Sequence, residues 1–123
     1  MKVFIILGAI NAFLSVALGA FGAHALKGKL DQYYIDIWNT GCQYQMYHAL
    51  GLLIVGILAA KLPQTSLVTT SGWLMLTGII LFSGSLFVLA LTKISVLGAI
   101  TPFGGVAFLA AWVLIIVAAV KHL

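Results

Sequence analysis

Arginine and glutamate are absent, so six lysines and two aspartates carry all the formal side-chain charge in 123 residues. Charged residues make up only 7% of the chain, against about 25% in a typical soluble domain. A soluble fold of this size has too few charges to cover its surface. The lysines are scattered singly, which removes the basic patch that nucleic-acid binding needs, and no nucleic-acid partner is expected. With one cysteine, Cys42, no intramolecular disulfide can form. No Cys/His spacing suits a metal, so no metal site is expected, and Cys42 reads as a small apolar filler. Both acids, Asp31 and Asp36, fall in one polar segment, so the apolar stretches hold no carboxylate for acid–base catalysis. Phosphate-binding loops, nucleophile elbows and zinc-protease motifs are also missing, and no enzyme activity is expected.

What the chain has is apolar length. Hydrophobic residues make up 63% and the mean hydropathy is +1.22. A helix rises about 1.5 Å per residue, so about 20 apolar residues cross the roughly 30 Å hydrocarbon core. Four stretches suffice: 3–26, 41–60, 67–92 and 102–120. Lysines close them at Lys27, Lys61, Lys93 and Lys121 and never interrupt them. Backbone groups in lipid must be bonded internally, and the stretches lack the alternation of barrel strands, so they are predicted to be helices. Thr101-Pro102 is a helix-start signal, a hydroxyl cap followed by a proline whose missing N–H costs nothing. Lys2, the following apolar run and Ala23-His24-Ala25 also resemble a cleavable leader. The run 3–18 is longer than the usual leader core of about 7–15 residues, so an uncleaved first span is expected.

Residues 30–40 read differently. Leu30, Tyr33, Tyr34, Ile37 and Trp38 share one helical arc, and Asp31, Gln32, Asp36 and Asn39 share the other, with Ile35 the exception. This pattern predicts an amphipathic interfacial helix of about three turns lying flat between spans 1 and 2. The expected fold class is therefore an all-α membrane protein, a single-domain bundle of four transmembrane helices with a short interfacial helix. Four spans put both termini on one side with Lys2, Lys61 and Lys121, facing Lys27, Lys29 and Lys93 on the other. The positive-inside count is tied, so orientation stays open, with only a slight lean to both termini inside.

Lipid gives helices no hydrophobic reason to associate, so close backbone approach must do it. Span 1 carries a small-residue stripe through Gly8, Ser15, Gly19 and Gly22. Span 3 offers Gly78 and Gly84, and span 4 offers Gly104 and Ala111. These residues are the predicted packing positions. Polar side chains form a second pattern. The topology brings His24, Tyr44, Tyr47, His48, Ser83, Ser85, Thr92 and Thr101 toward one leaflet, although His24 lies off the stripe of span 1. A histidine two turns into a span should face protein or water and find a partner. The cluster admits several readings: a satisfied network that fixes register, a lipid-headgroup or small-molecule site, and a proton path through His48. Haem held by His24 and His48 is a further one, but spacing alone does not support it and no cofactor is expected.

Gly19-Ala20-Phe21-Gly22-Ala23-His24, Tyr44-Gln45-Met46-Tyr47-His48, Phe82-Ser83-Gly84-Ser85-Leu86 and Leu97-Gly98-Ala99-Ile100-Thr101-Pro102-Phe103-Gly104-Gly105 resemble, in order and spacing, the YwdK/YgdD-like family of small bacterial membrane proteins. The resemblance covers essentially the whole chain. It implies a four-span protein of the bacterial cytoplasmic membrane, and it brings no activity and no functional residues. The expected function is non-enzymatic, acting through membrane lipids, further copies of the chain or another membrane protein. A small transporter or channel built around His48 is the alternative.

Overall fold

The computed structural model describes residues 2–123. Among them, four helices are long and apolar enough to cross a membrane: α1 (Lys2–Leu26), α2 (Gln32–Lys61), α3 (Leu67–Thr92) and α4 (Thr101–His122). A short 3-10 segment, Ser95–Ala99, precedes α4. Gly28 makes the α1–α2 turn with φ +83°, a left-handed conformation that suits a residue without Cβ. Lys93 adopts the same region, φ 61°, to end α3. The outer surface is apolar: Phe13 is 73% exposed, Leu109 69% and Val120 80%. In water that surface would be a liability, whereas lipid is its natural solvent.

α2 is the central rod. It packs against α1 on one side and α3 on the other, and α4 packs on α3. One core holds Phe4, Leu52, Val55, Met75, Phe108 and Ala111. A second holds Leu26, Trp38, Cys42 and Ala90 at the opposite end.

Residues 30–40 correct one expectation. They are helical from Gln32, but the helix runs through Gly41 into span 2 without a break. A separate helix lying flat is replaced by one 30-residue rod. At about 1.5 Å per residue it is about 45 Å long, so its first turns stand beyond the hydrocarbon. Most of the aromatic face is claimed by protein instead of headgroups, while Tyr33 stays 68% exposed. Trp38 is 3% exposed and donates its indole N–H to Leu18 O at 2.9 Å. Tyr34 and Ile37 pack against the same core, and Lys93 Nζ sits 5.3 Å above the Tyr34 ring. Gly41 does not break the helix, because its bare face receives Phe87.

The glycines at contacts set how closely the rods approach. A Cβ on Gly8 would lie 2.8 Å from Ala49 O, and one on Gly22 would lie 2.6 Å from Trp38 Cδ1. On Gly104 it would strike Phe82, at 2.7 Å from Cβ and 2.8 Å from Cα, as well as its backbone N. Gly78 faces the Phe108 ring, with Gly104 O at 3.1 Å. Ser15 donates to Cys42 O at 2.8 Å, and Ala111 O accepts from Ser71 Oγ at 2.8 Å. Two of the expected packing positions differ. Gly19 meets nothing within 4 Å, and Gly84 approaches only its own helix at Ile79 O, 4.0 Å away. Gly19 lies on the flank of the stripe, whose contact face is centred on Phe4, Asn11 and Ser15, all buried. Gly84 lies on the side of α3 away from Gly78. Gly41, Gly51 and Gly72 are close approaches that the stripes did not include; they receive Phe87, Met75 and Phe4.

Candidate functional site

Aromatic side chains bridge α2 and α4: Phe108 and Trp112 both meet His48. Between them lies a groove of about 600 Å³, open to one side. Tyr44, Tyr47 and His48 line it from α2, and Phe82 lines it from α3. Pro102, Gly105, Val106, Phe108, Leu109 and Trp112 complete it from α4. Two local features of the helices shape the groove. α3 is wound as a π-helix over Ile79–Ser83, a bulge of the kind often found at functional sites, and it carries Phe82. α4 presents Gly104 to Phe82, which lets Phe108 and Trp112, four and eight residues on, reach α2.

His48 forms the floor and is 4% exposed. Its ring lies flat on Phe108, with centroids 3.5 Å apart and an interplanar angle of 8°. Nδ1 is 2.8 Å from Tyr44 O, which can only accept, so Nδ1–H donates. The Trp112 indole N–H, which can only donate, points at Nε2 from 3.0 Å. Only the neutral imidazole with its proton on Nδ1 makes both bonds together. Both ring nitrogens are therefore committed within the protein. Tyr44 also packs on Tyr47 and Phe82, and the Tyr47 hydroxyl accepts from Gln43 Nε2 at 2.7 Å.

The other residues of the expected cluster separate. Ser83 Oγ donates to Gly41 O at 2.7 Å, tying α3 to α2. Ser85 and Thr101 share a hydroxyl bond of 2.6 Å, tying α3 to α4, and Ser85 also donates to Phe82 O. Thr92 bonds Val88 O within its own helix. These hydroxyls fix the walls and do not line the groove. His24 is exposed in the π-wound last turn of α1 and takes no part in the groove. The pairing of His24 with His48 around haem thus finds no shared site, and no group of three metal-binding side chains occurs among the described residues.

Three residues of consequence lie outside the expected polar cluster. Trp112 was legible in principle: a tryptophan inside a span needs an acceptor for its N–H. Asn11 and Gln45 make a second polar contact, between α1 and α2. Asn11 Nδ2 donates to Leu7 O at 2.9 Å, and Gln45 Nε2 donates to Asn11 Oδ1 at 3.1 Å. Gln45 Oε1 is buried and has no partner.

Residues 18–105 match the family described as "Protein of unknown function (DUF423)". The chain belongs to this family. It is 65% identical to the UPF0382 membrane protein YwdK of Bacillus subtilis, over the full length of both. It is 53% identical to a UPF0382 membrane protein of Staphylococcus epidermidis and 52% identical to one of Staphylococcus aureus, each over 98% of both chains. No solved structure matches. The relatives' names and the four apolar helices make this a multi-pass membrane protein of an uncharacterised family, with no biochemical activity assigned.

Proposed function

We propose that the protein is a non-enzymatic component of the bacterial cytoplasmic membrane that takes one long apolar lipid chain into the α2–α4 groove. The groove carries this reading. Its walls are mostly aromatic and aliphatic, and it opens sideways, where acyl chains are the solvent. Most polar groups within it already have partners: the His48 nitrogens bind Tyr44 O and Trp112, and the Tyr47 hydroxyl binds Gln43, which leaves the Tyr44 hydroxyl free. A polar substrate would find few free groups to recognise it. The hydroxyls of Ser15, Ser71, Ser83 and Ser85 are spent on backbone carbonyls, and both acids are exposed at the start of α2, which supports a role without catalysis. The helical spans of this chain and its bacterial relatives support the cytoplasmic membrane, since outer-membrane spans are barrels.

A transporter or channel built on His48 would need a wetted imidazole with a free nitrogen, and the two bonds to His48 argue against it. Gly105→Leu tests the lipid reading. A Cβ there meets only Phe82 Cδ2, at 3.9 Å, so a larger side chain enters the groove without striking backbone. Native mass spectrometry after detergent washing should find a retained lipid on the wild type and on Gly19→Leu, and none on Gly105→Leu. Equal retention by all three would refute the lipid reading. So would ion or proton flux in proteoliposomes that His48→Ala abolishes.

A further inference from the structure

We propose that a second, polar pocket, where the end of α1 meets the start of α2, holds the phosphate of an anionic phospholipid headgroup. The pocket is about 240 Å³ and is lined by Gly22, Ala23, Lys27, Gln32, Ile35 and Asn39. It lies on the opposite face of α2 from the groove and does not depend on what the groove holds.

Depth, chemistry and shape carry the inference. Lys27 directly follows the last helical residue of α1, and Gln32, Ile35 and Asn39 lie in the turns of α2 that stand beyond the hydrocarbon. The pocket is therefore at headgroup level. Lys27 supplies an ammonium without an ion pair, and the Asn39 amide has no partner in the protein. No acid lines the pocket. Asp36, one turn from both Gln32 and Asn39, is engaged by Gln32 Nε2 at 2.7 Å. Asp31 is exposed at the start of α2, and Lys29 lies at the same end. The backbone holds Lys27 in place: Lys29 N and Leu30 N both donate to Leu26 O, at 3.0 and 3.2 Å, closing the turn around it. Gly22 and Ala23 line the pocket without a long side chain, which leaves room for a compact tetrahedral group.

The test uses the full chain in a non-ionic detergent. Thermal unfolding is followed while phosphatidylglycerol, phosphatidylcholine or inorganic phosphate is added. Phosphatidylglycerol should raise the midpoint more than phosphatidylcholine does. Lys27→Gln should weaken the apparent phosphatidylglycerol affinity about fivefold, the weight of one lysine near an anionic surface. Lys29→Gln, outside the pocket, should weaken it less, and Asn39→Leu should match Lys27→Gln. Stabilisation by inorganic phosphate alone, with the same Lys27 dependence, would keep the site and make solution the source of the phosphate. Equal responses of Lys27→Gln and Lys29→Gln would mean diffuse surface charge and overturn the site. A wild type indifferent to all three additives would overturn it as well.

Discussion

Adding one methyl group at Gly104 should cost far more than adding one at Gly19. In Gly104→Ala the new Cβ would sit 2.8 Å from Phe82 Cα and 2.7 Å from Phe82 Cβ, and in contact with Phe82 N. The obstacle is mostly backbone, which a side-chain rotation cannot relieve. α3 is not free to retreat, because Ser83 beside the contact is tied to Gly41 O and Ser85 to Thr101. Overpacking of this kind costs about 1–3 kcal/mol, and the rigid neighbour puts it near the upper end. Alanine regains about 0.5–1 kcal/mol over glycine inside a helix. The net loss expected for Gly104→Ala is therefore about 2 kcal/mol. Gly19 has open space on its bare side, so Gly19→Ala keeps the helix gain and loses nothing. The two variants should differ by about 3 kcal/mol in this sense. Reversible unfolding in mixed micelles, titrated with a denaturing detergent and followed by tryptophan fluorescence, measures the difference. Stabilities within about 0.5 kcal/mol of each other would refute the close approach of α3 and α4 as a determinant of the fold.

Trp112→Phe leaves His48 Nε2 buried without a donor and should lower stability by about 1 kcal/mol in the same assay, in line with hydrogen bonds inside membranes. His48→Phe combined with Trp112→Phe should cost less than the sum of the singles, because no orphan remains. Asn11→Leu strips Gln45 of its one side-chain partner and should destabilise more than Gln45→Met, which removes an amide whose oxygen is already unpaired. Ser83→Ala breaks the tie to Gly41 O and should cost about 0.6 kcal/mol, with Ser85→Ala similar; no measurable loss in either would mean that these hydroxyls do not hold the walls.

The spans were readable because lipid imposes length, apolarity and terminal lysines all at once. The stretch 67–92 coincides with α3, Leu67–Thr92. The join at Gly41 was not readable. A glycine after an amphipathic segment looks like a break, and only the arrival of Phe87 from α3 makes it a packing notch. Wheel projections place Gly8, Ser15 and Gly22 on one stripe, but they cannot tell the centre of a contact face from its flank, and so Gly19 looked equivalent. They also assume uniform winding, which the π turn at Ile79–Ser83 violates. For the site, Tyr44, Tyr47 and His48 followed from the leaflet in which the topology places them. Their partners Phe108 and Trp112 lie in an apolar run that any lipid-facing helix could carry, and only the seating of Gly104 on Phe82 brings them to His48.

The bonding of His48 bears most directly on whether the groove is a dry apolar slot or a proton path. Nitrogen NMR of histidine-labelled protein in lipid bilayers, with His48 assigned by comparison with His48→Phe, reads the state of both ring nitrogens. A neutral ring with its proton on Nδ1 and an unprotonated Nε2, unchanged when the bilayer is hydrated with deuterated water, is the expected result. A proton on Nε2, or rapid exchange of the ring proton with that water, would contradict the dry slot and return His48 to the transporters.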